Sequence, residues 1–293
     1  MKYAFFLGCT VPVRAQNYEL SARKVSEKLG IELIDIPEFR CCGYPVKSVD
    51  FRAHLVMSTM NLALAEKKGL NITTLCKACS VTMIEANEEI KHNSNLLNEV
   101  NKELKKYDLE YNGNVEVKHF ARVLYEDYGI ENIKKYITRP LDKYRFAAHY
   151  GCHFIRPSVV YSEFDDPEFP VSLDRLIEVT GAVSVDYPDK QLCCGGGILG
   201  IKEDVALALS HKKLAILKDI GIDGLISICP FCSVMYESNQ KKIEKTYEEE
   251  LGIPVIYYTQ ILGLAMGFSS EDMGLKLNRV KAKKLIEAFT NEK

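Results

Sequence analysis

The ten cysteines constrain this chain more than any other feature. They fall as Cys9, Cys41, Cys42, Cys76 and Cys79, and then as Cys152, Cys193, Cys194, Cys229 and Cys232. Each set runs in one order: a single cysteine, an adjacent pair, then C-x-x-C. The spacing from pair to C-x-x-C agrees between the sets to within one residue. The contexts repeat as well. FFLGC (5–9) matches AHYGC (148–152), CCGYP (41–45) matches CCGGG (193–197), and CKAC (76–79) matches CPFC (229–232). Further on, HFARVLYEDYG (119–129) matches YTQILGLAMG (258–267). This is an internal duplication with its boundary near TRPLDKY (138–144), and it predicts two domains, 1–140 and 141–293.

The bulk numbers decide how so many thiols are read. With 293 residues, 47% hydrophobic and 27% charged, the chain has the make-up of a soluble globular protein. A net charge of -2 offers no basic field for nucleic acid. No apolar run approaches the roughly 18 residues of a membrane span, and MKYAFFLGCT carries no signal-like cleavage site. A cytoplasmic location is expected. In a reducing compartment dense cysteine points to metal or redox chemistry rather than structural disulfides.

The hydrophobic pattern alternates strand and helix. KYAFFLG (2–8) reads as a buried strand ending at Cys9, and a helix over Tyr18–Leu29 closes at Gly30. IELIDI (31–36) is a second strand, Arg52–Lys68 a helix, NITTL (71–75) a strand delivering Cys76, and about Ser80 to Lys106 one long helix. In the second half KYRFAAHYG leads to Cys152, AVSVDY (182–187) precedes the pair, and Lys202–Asp219 is helical. GLISI (224–228) then delivers Cys229, and IPVIYY (253–258) is a last strand. Such alternation predicts an α/β fold: two pseudo-repeated domains, each a small, mostly parallel sheet with flanking helices. Ligands of such sheets gather at the carboxyl ends of the strands, so five thiols per half are expected to converge on one rim.

Zinc takes four tetrahedral ligands, and a regular [4Fe–4S] cube also takes four cysteines. Five is the odd number, and it occurs twice. Adjacent residues have Cα atoms about 3.8 Å apart, so their thiols reach one tetrahedral ion only with strain. They reach two irons of a multinuclear iron–sulfur cluster readily. The glycines beside each pair let backbone approach and offer N–H groups to sulfur. Zinc in one half, vicinal disulfides and thioredoxin-like dithiols are the competing readings, and the disulfides leave the C-x-x-C motifs unexplained.

The doubled cysteine–cysteine–glycine pattern resembles the CCG-domain family, and two such domains with little else resemble the B subunit of heterodisulfide reductase from methanogenic archaea. The resemblance covers essentially the whole chain, and all ten cysteines fall in motif positions. It implies one noncubane [4Fe–4S] cluster per half, on Cys9, Cys41, Cys42, Cys76 and Cys79, and on Cys152, Cys193, Cys194, Cys229 and Cys232. It implies an oxidoreductase that cleaves the coenzyme M–coenzyme B heterodisulfide to two thiols in methanogenesis. The chain has no ferredoxin-type cysteine run, so electrons must come from partners. The resemblance implies the iron–sulfur C subunit and the flavin A subunit of heterodisulfide reductase, with a hydrogenase or formate dehydrogenase behind them. Rival readings are another CCG-domain protein, from a thiol:fumarate or succinate reductase or a glycolate or lactate oxidase, and a zinc-stabilised scaffold.

Beyond the cysteines, His153 follows Cys152 and is the candidate proton donor to a departing thiolate. The proposed substrate carries sulfonate, phosphate and carboxylate groups. Arg40, Lys47 and Arg156 are the candidate cations for them. His119 is expected to be structural, and His54, His92, His149 and His211 to need no special role. LKLNRVKAKKLIEAF (275–289) reads as a basic amphipathic helix capping a core or docking a partner. Tyr107–Asn114, EFDDPEFP (163–170) and the polar run Glu237–Glu250 look like surface insertions.

Overall fold

The computed structural model describes residues 1–161 and 164–290. Eight short strands form two four-stranded sheets, and every pairing is parallel. The first sheet contains β1 (Lys2–Phe6), β2 (Glu32–Asp35), β3 (Asn71–Thr74) and β4 (Val117–His119), in the order β2-β1-β3-β4. The second contains β5 (Arg145–His149), β6 (Val183–Val185), β7 (Gly224–Ser227) and β8 (Val255–Tyr257), in the order β6-β5-β7-β8. The permutation is the same, as the duplicated sequence requires.

The register repeats too. Phe6 pairs with Thr74, and His149 with Ser227. In each half the residue three before the first cysteine faces the residue two before the C-x-x-C. That pairing brings both cysteine-bearing loops to one edge. It also lies where the strand order reverses direction, between β1 and β3 and between β5 and β7, the crevice in which open parallel sheets bind ligands. Strands β1, β5 and β7 are mostly apolar and almost wholly buried, as strands covered on both faces must be, whereas β3 buries Thr73 and Thr74.

Local signals set the helix bounds. Gly30 and Gly221 close Gln16–Leu29 and Glu203–Ile220 in left-handed conformations. The Asp50 carboxylate accepts the Ala53 N–H at 2.9 Å and starts Phe51–Glu66. Four expectations need correction. The long helix is two, Lys77–Lys91 and Ser94–Leu104, because Asn93 turns the chain and caps the second by accepting the Leu96 N–H at 3.1 Å. Tyr107–Asn114 is anchored rather than a loose surface insertion: Tyr111 is fully buried and its hydroxyl donates to Asn87 Oδ1 at 2.7 Å. Glu237–Glu250 contains the helix Gln240–Tyr247, which buries Gln240 and Ile243. The stretch 275–289 is a 3-10 turn (Leu275–Leu277) and a short helix (Lys283–Ala288), not one helix, and it buries Leu275, Leu285 and Phe289 in the core. Of EFDDPEFP, Glu163 lies outside the described residues. Asp165 ties the remainder down, accepting the N–H groups of Val171 and Ser172.

The two sheets share their hydrophobic cores. One core runs from Phe5, Tyr18 and Val25 to Phe146, Leu176 and Ile261, and a second from Phe6, Leu62 and Met83 to Leu225, Leu214 and Val255. Polar contacts stitch the same seam. The Ile228 carbonyl, next to Cys229, accepts the His119 Nε2–H at 2.8 Å and the Tyr18 hydroxyl at 3.3 Å. Tyr18 stacks on Tyr257 with ring centroids 4.0 Å apart, worth about 1 kcal/mol beyond the area buried. His119 also accepts the Ala121 N–H through Nδ1 at 3.1 Å, starting the helix that follows β4. Its role is structural, as expected.

Burial lowers the His119 pKa to about 4. The folded protein therefore binds this proton less well than the unfolded chain. The stabilisation is complete above pH 6.5 and is lost as pH falls towards 4, by up to about 3 kcal/mol. Chemical denaturation at pH 7 and pH 5 should show the loss. His119→Asn, which keeps a capping oxygen, should be about 1 kcal/mol weaker at pH 7 but less sensitive to acid.

Candidate metal centre

Each cysteine is placed by a local device, and both halves use the same ones. The single cysteine leaves β1 or β5 through a left-handed glycine, Gly8 (φ 66) or Gly151 (φ 63). A side chain is excluded there: a Cβ on Gly8 would lie 3.0 Å from Cys79 Sγ, and one on Gly151 would strike the Lys77 ammonium. The pair is followed by Gly43 (φ 87) or Gly195 (φ 78). A serine on the next helix pins it: Ser58 donates to the Cys42 carbonyl at 2.6 Å and Ser210 to the Cys194 carbonyl at 2.9 Å. The C-x-x-C opens a helix, with Cys76 capping Lys77–Lys91 and Cys229 capping Pro230–Ser233. A helix N-terminus favours thiolate.

Backbone N–H groups point at the paired sulfurs. Gly195 donates to Cys193 Sγ and Gly196 to Cys194 Sγ, both at 3.4 Å. In the first half the N–H groups of Gly43 and Tyr44 lie near Cys41 and Cys42 and favour their thiolates. The exposure also matches. Cys42, Cys76, Cys79, Cys194, Cys229 and Cys232 are buried, whereas Cys9, Cys41, Cys152 and Cys193 reach the surface. Each half thus presents three thiols inward and two outward.

The thiols stand side by side. Cys42 lies between Cys41 and Cys79, and Cys79 beside Cys76. Cys193 lies between Cys152 and Cys194, Cys194 beside Cys232, and Cys232 beside Cys229. The two series meet across the seam at Cys76 and Cys229. Protons distribute unevenly along them. Cys42 is lowered to about 3 because Cys41 and then Cys79 donate to it, and Cys193 to about 2 because Cys152 and then Cys194 donate to it. Cys229 is lowered as well, chiefly by Cys232 and Cys76. Cys194 is raised to about 12 by its bond to Cys193. Thiolate is the metal-binding form, and sulfurs stabilised by N–H groups suit a cluster whose bound sulfur accepts such bonds. The donor set therefore fits an iron–sulfur group. Among the described residues no three His, Cys, Asp or Glu side chains close on a single ion position.

The other candidates divide. Arg40 is exposed and lines a hollow of about 320 Å³ together with Cys9, Cys41 and Phe39. Lys47 goes elsewhere: it pairs with Glu85 at 2.5 Å in a separate cleft lined by His54, His92 and Pro157. Arg156 donates to the Pro167 carbonyl at 2.6 Å. His153 is half-buried, its ring set edge-on to Tyr44 at 5.7 Å, and its pKa is lowered by burial and then by Lys77. Two residues at this site escape the sequence reading. Tyr44, next to CCG, reaches over the second half: its hydroxyl lies 3.4 Å from where a Gly197 Cβ would stand. Its pKa is raised by burial and then by Cys152 and Cys193. Lys77, inside CKAC, is buried and donates to the Tyr150 carbonyl at 2.5 Å. The departure of Tyr and Lys from the Gly and Pro of the second copy is the signal that could have found them.

The cysteine-rich domain called CCG matches residues 3–84 and 146–237. Over 284 residues the chain is 37% identical to the B subunit of a ferredoxin/F(420)H(2)-dependent CoB-CoM heterodisulfide reductase of Methanosarcina acetivorans, covering 96% of this chain and 94% of that one. It is 37% identical to the B subunit of a ferredoxin:CoB-CoM heterodisulfide reductase of Methanosarcina mazei with the same coverage. It is 28% identical to the membrane anchor subunit of an 8-methylmenaquinol:fumarate reductase of Wolinella succinogenes, over 97% of this chain and 99% of that one. The crystal structure of a hypothetical protein from Helicobacter pylori shares the fold, with a TM-score of 0.76 and 22% identity over 96% of this chain and 52% of that one. Among the described residues no helix is long and apolar enough to cross a membrane. With the cysteine-rich domain present twice and these relatives matched along nearly its whole length, the chain belongs to the family of heterodisulfide reductase B subunits, which are oxidoreductase components.

Proposed function

We propose that this chain is the catalytic subunit of a cytoplasmic heterodisulfide reductase, built of two domains, 1–140 and 141–293, with one noncubane [4Fe–4S] cluster in each. Cys9, Cys41, Cys42, Cys76 and Cys79 hold one cluster; Cys152, Cys193, Cys194, Cys229 and Cys232 hold the other. The observation that carries this reading is the doubled quintet, in which each half turns three thiols inward and two outward. The reaction takes a coenzyme M–coenzyme B disulfide, two electrons and two protons to two thiols. When bound, the clusters supply electrons one at a time, so two of them flanking one S–S bond avoid releasing a thiyl radical.

The chain's own groups supply the rest. Outward-facing Cys9 and Cys193 mark the sides open to an incoming sulfur. His153 lies beside Cys152 with its pKa lowered by burial and then by Lys77, which favours the neutral ring; it serves as a relay, taking a proton from solvent on one nitrogen as the other gives its proton to the departing thiolate. Tyr44 stands edge-on to it as a hydroxyl donor. Arg40, in the hollow beside Cys9 and Cys41, is the cation best placed for an anionic substrate group. Electrons arrive from the iron–sulfur C subunit and the flavin A subunit, with a hydrogenase or formate dehydrogenase behind them. The Wolinella relative favours a second reading, in which the same centres pass electrons between thiols or quinols and fumarate.

Iron and acid-labile sulfide should total roughly eight of each per chain, and chelation should abolish heterodisulfide reduction. Two zinc ions without iron would sink the proposal, and turnover with fumarate but not the heterodisulfide would move it to the second reading. Cys194→Ser should lose about half the iron and nearly all turnover. Arg40→Ala should raise KM for the heterodisulfide about tenfold, close to 1.4 kcal/mol, with kcat little changed. Lys47→Ala, already neutralised by Glu85, should leave KM near wild type.

A further inference from the structure

The two centres are built alike but are not charged alike. Lys77 follows Cys76 in the N-terminal C-x-x-C, yet its side chain serves the other half. It is 2% exposed, and its ammonium donates to the carbonyl of Tyr150, two residues before Cys152. The ammonium also lies against Gly151, where an added Cβ would strike it, so the charge sits at the loop that delivers Cys152 of the C-terminal quintet. The matching position in the second copy is Pro230, so no cation is returned to the N-terminal quintet from there.

Two further departures from the first copy lie nearby. Lys213 is fully buried on Glu203–Ile220. It donates to the Lys190 carbonyl at 2.8 Å and lies 3.4 Å from His149 Nδ1. Its counterpart is the neutral Asn61, whose amide turns to the Cys41 carbonyl at 3.3 Å. His149 itself replaces Phe6 of the first copy. Near the N-terminal quintet, Arg40 is exposed and Lys47 is paired with Glu85.

We infer that Lys77 is a positioning residue that makes the C-terminal centre the more easily reduced of the two, so that electrons gather at the Cys152–Cys232 end. The inference rests on the reading that each quintet holds an iron–sulfur cluster. A buried ammonium stabilises the more negative, reduced state of a nearby anionic group, because low dielectric strengthens the attraction. Without Lys77 the two centres lose much of this difference.

The test is a redox titration of the reconstituted chain followed by electron paramagnetic resonance. Cys42→Ser and Cys194→Ser, each lacking one centre, assign the signals. Lys77→Gln keeps a donor for the Tyr150 carbonyl but removes the charge. It should retain full iron, move the C-terminal midpoint to a more negative potential and leave the N-terminal midpoint in place. Lys77→Arg should return the C-terminal midpoint towards wild type. Unmoved midpoints in Lys77→Gln, or equal shifts of both, would overturn the assignment. So would loss of C-terminal iron in both variants, which would make Lys77 a structural strut only. A wild-type chain that takes up no iron would remove the cluster reading itself, and this inference with it.

Discussion

Six thiols no more than 5% exposed are packed side by side where two parallel sheets end. Burying sulfur that must ionise is costly unless each negative charge finds a donor. Most of the unusual local structure answers that demand. Neighbouring thiols share protons, Gly195 and Gly196 offer N–H groups, and Cys76 and Cys229 sit at helix starts. Left-handed glycines at positions 8, 43, 151 and 195 let backbone come close enough for these contacts. The sheets are a frame whose register brings the loops to one edge.

The duplication separates what the two copies share from what they do not. Glycines, serine anchors and helix caps recur in both halves, and all of them act on cysteine. The departures lie one layer further out: Tyr44 against Gly196, Lys77 against Pro230, His149 against Phe6 and Lys213 against Asn61. Each places an ionisable side chain against the C-terminal half where the other copy has Gly, Pro, Phe or Asn. Matching cysteine quintets thus sit in different surroundings.

Much of this is legible in the sequence. The strands come from short apolar runs, and the rim from the fact that Cys9, Cys76, Cys152 and Cys229 each follow one. What escapes depends on contacts distant along the chain. Lys47 looks available to a substrate because it follows the cysteine pair, yet Glu85, on the helix Lys77–Lys91, pairs with it. Lys77 looks like an ordinary surface lysine, since neither propensity nor periodicity reports that a side chain crosses to another sheet. The break at Asn93 is hidden because no Gly or Pro marks it; a side-chain cap makes it instead. Tyr107–Asn114 looks polar and loose, and one buried tyrosine makes it otherwise.

The Ile228 carbonyl, held by His119 and Tyr18, bears on the history of the molecule. A repeat copied intact would be expected to stand alone. Here the N-terminal copy has come to lean on its sister, through donors aimed at that copy's backbone and aromatic rings that would otherwise face water. A fragment ending near residue 140 would leave Tyr18, His119 and Lys77 without their counterparts. The two copies have ceased to be interchangeable modules, and the bargain that fused them can no longer be undone by cutting the chain.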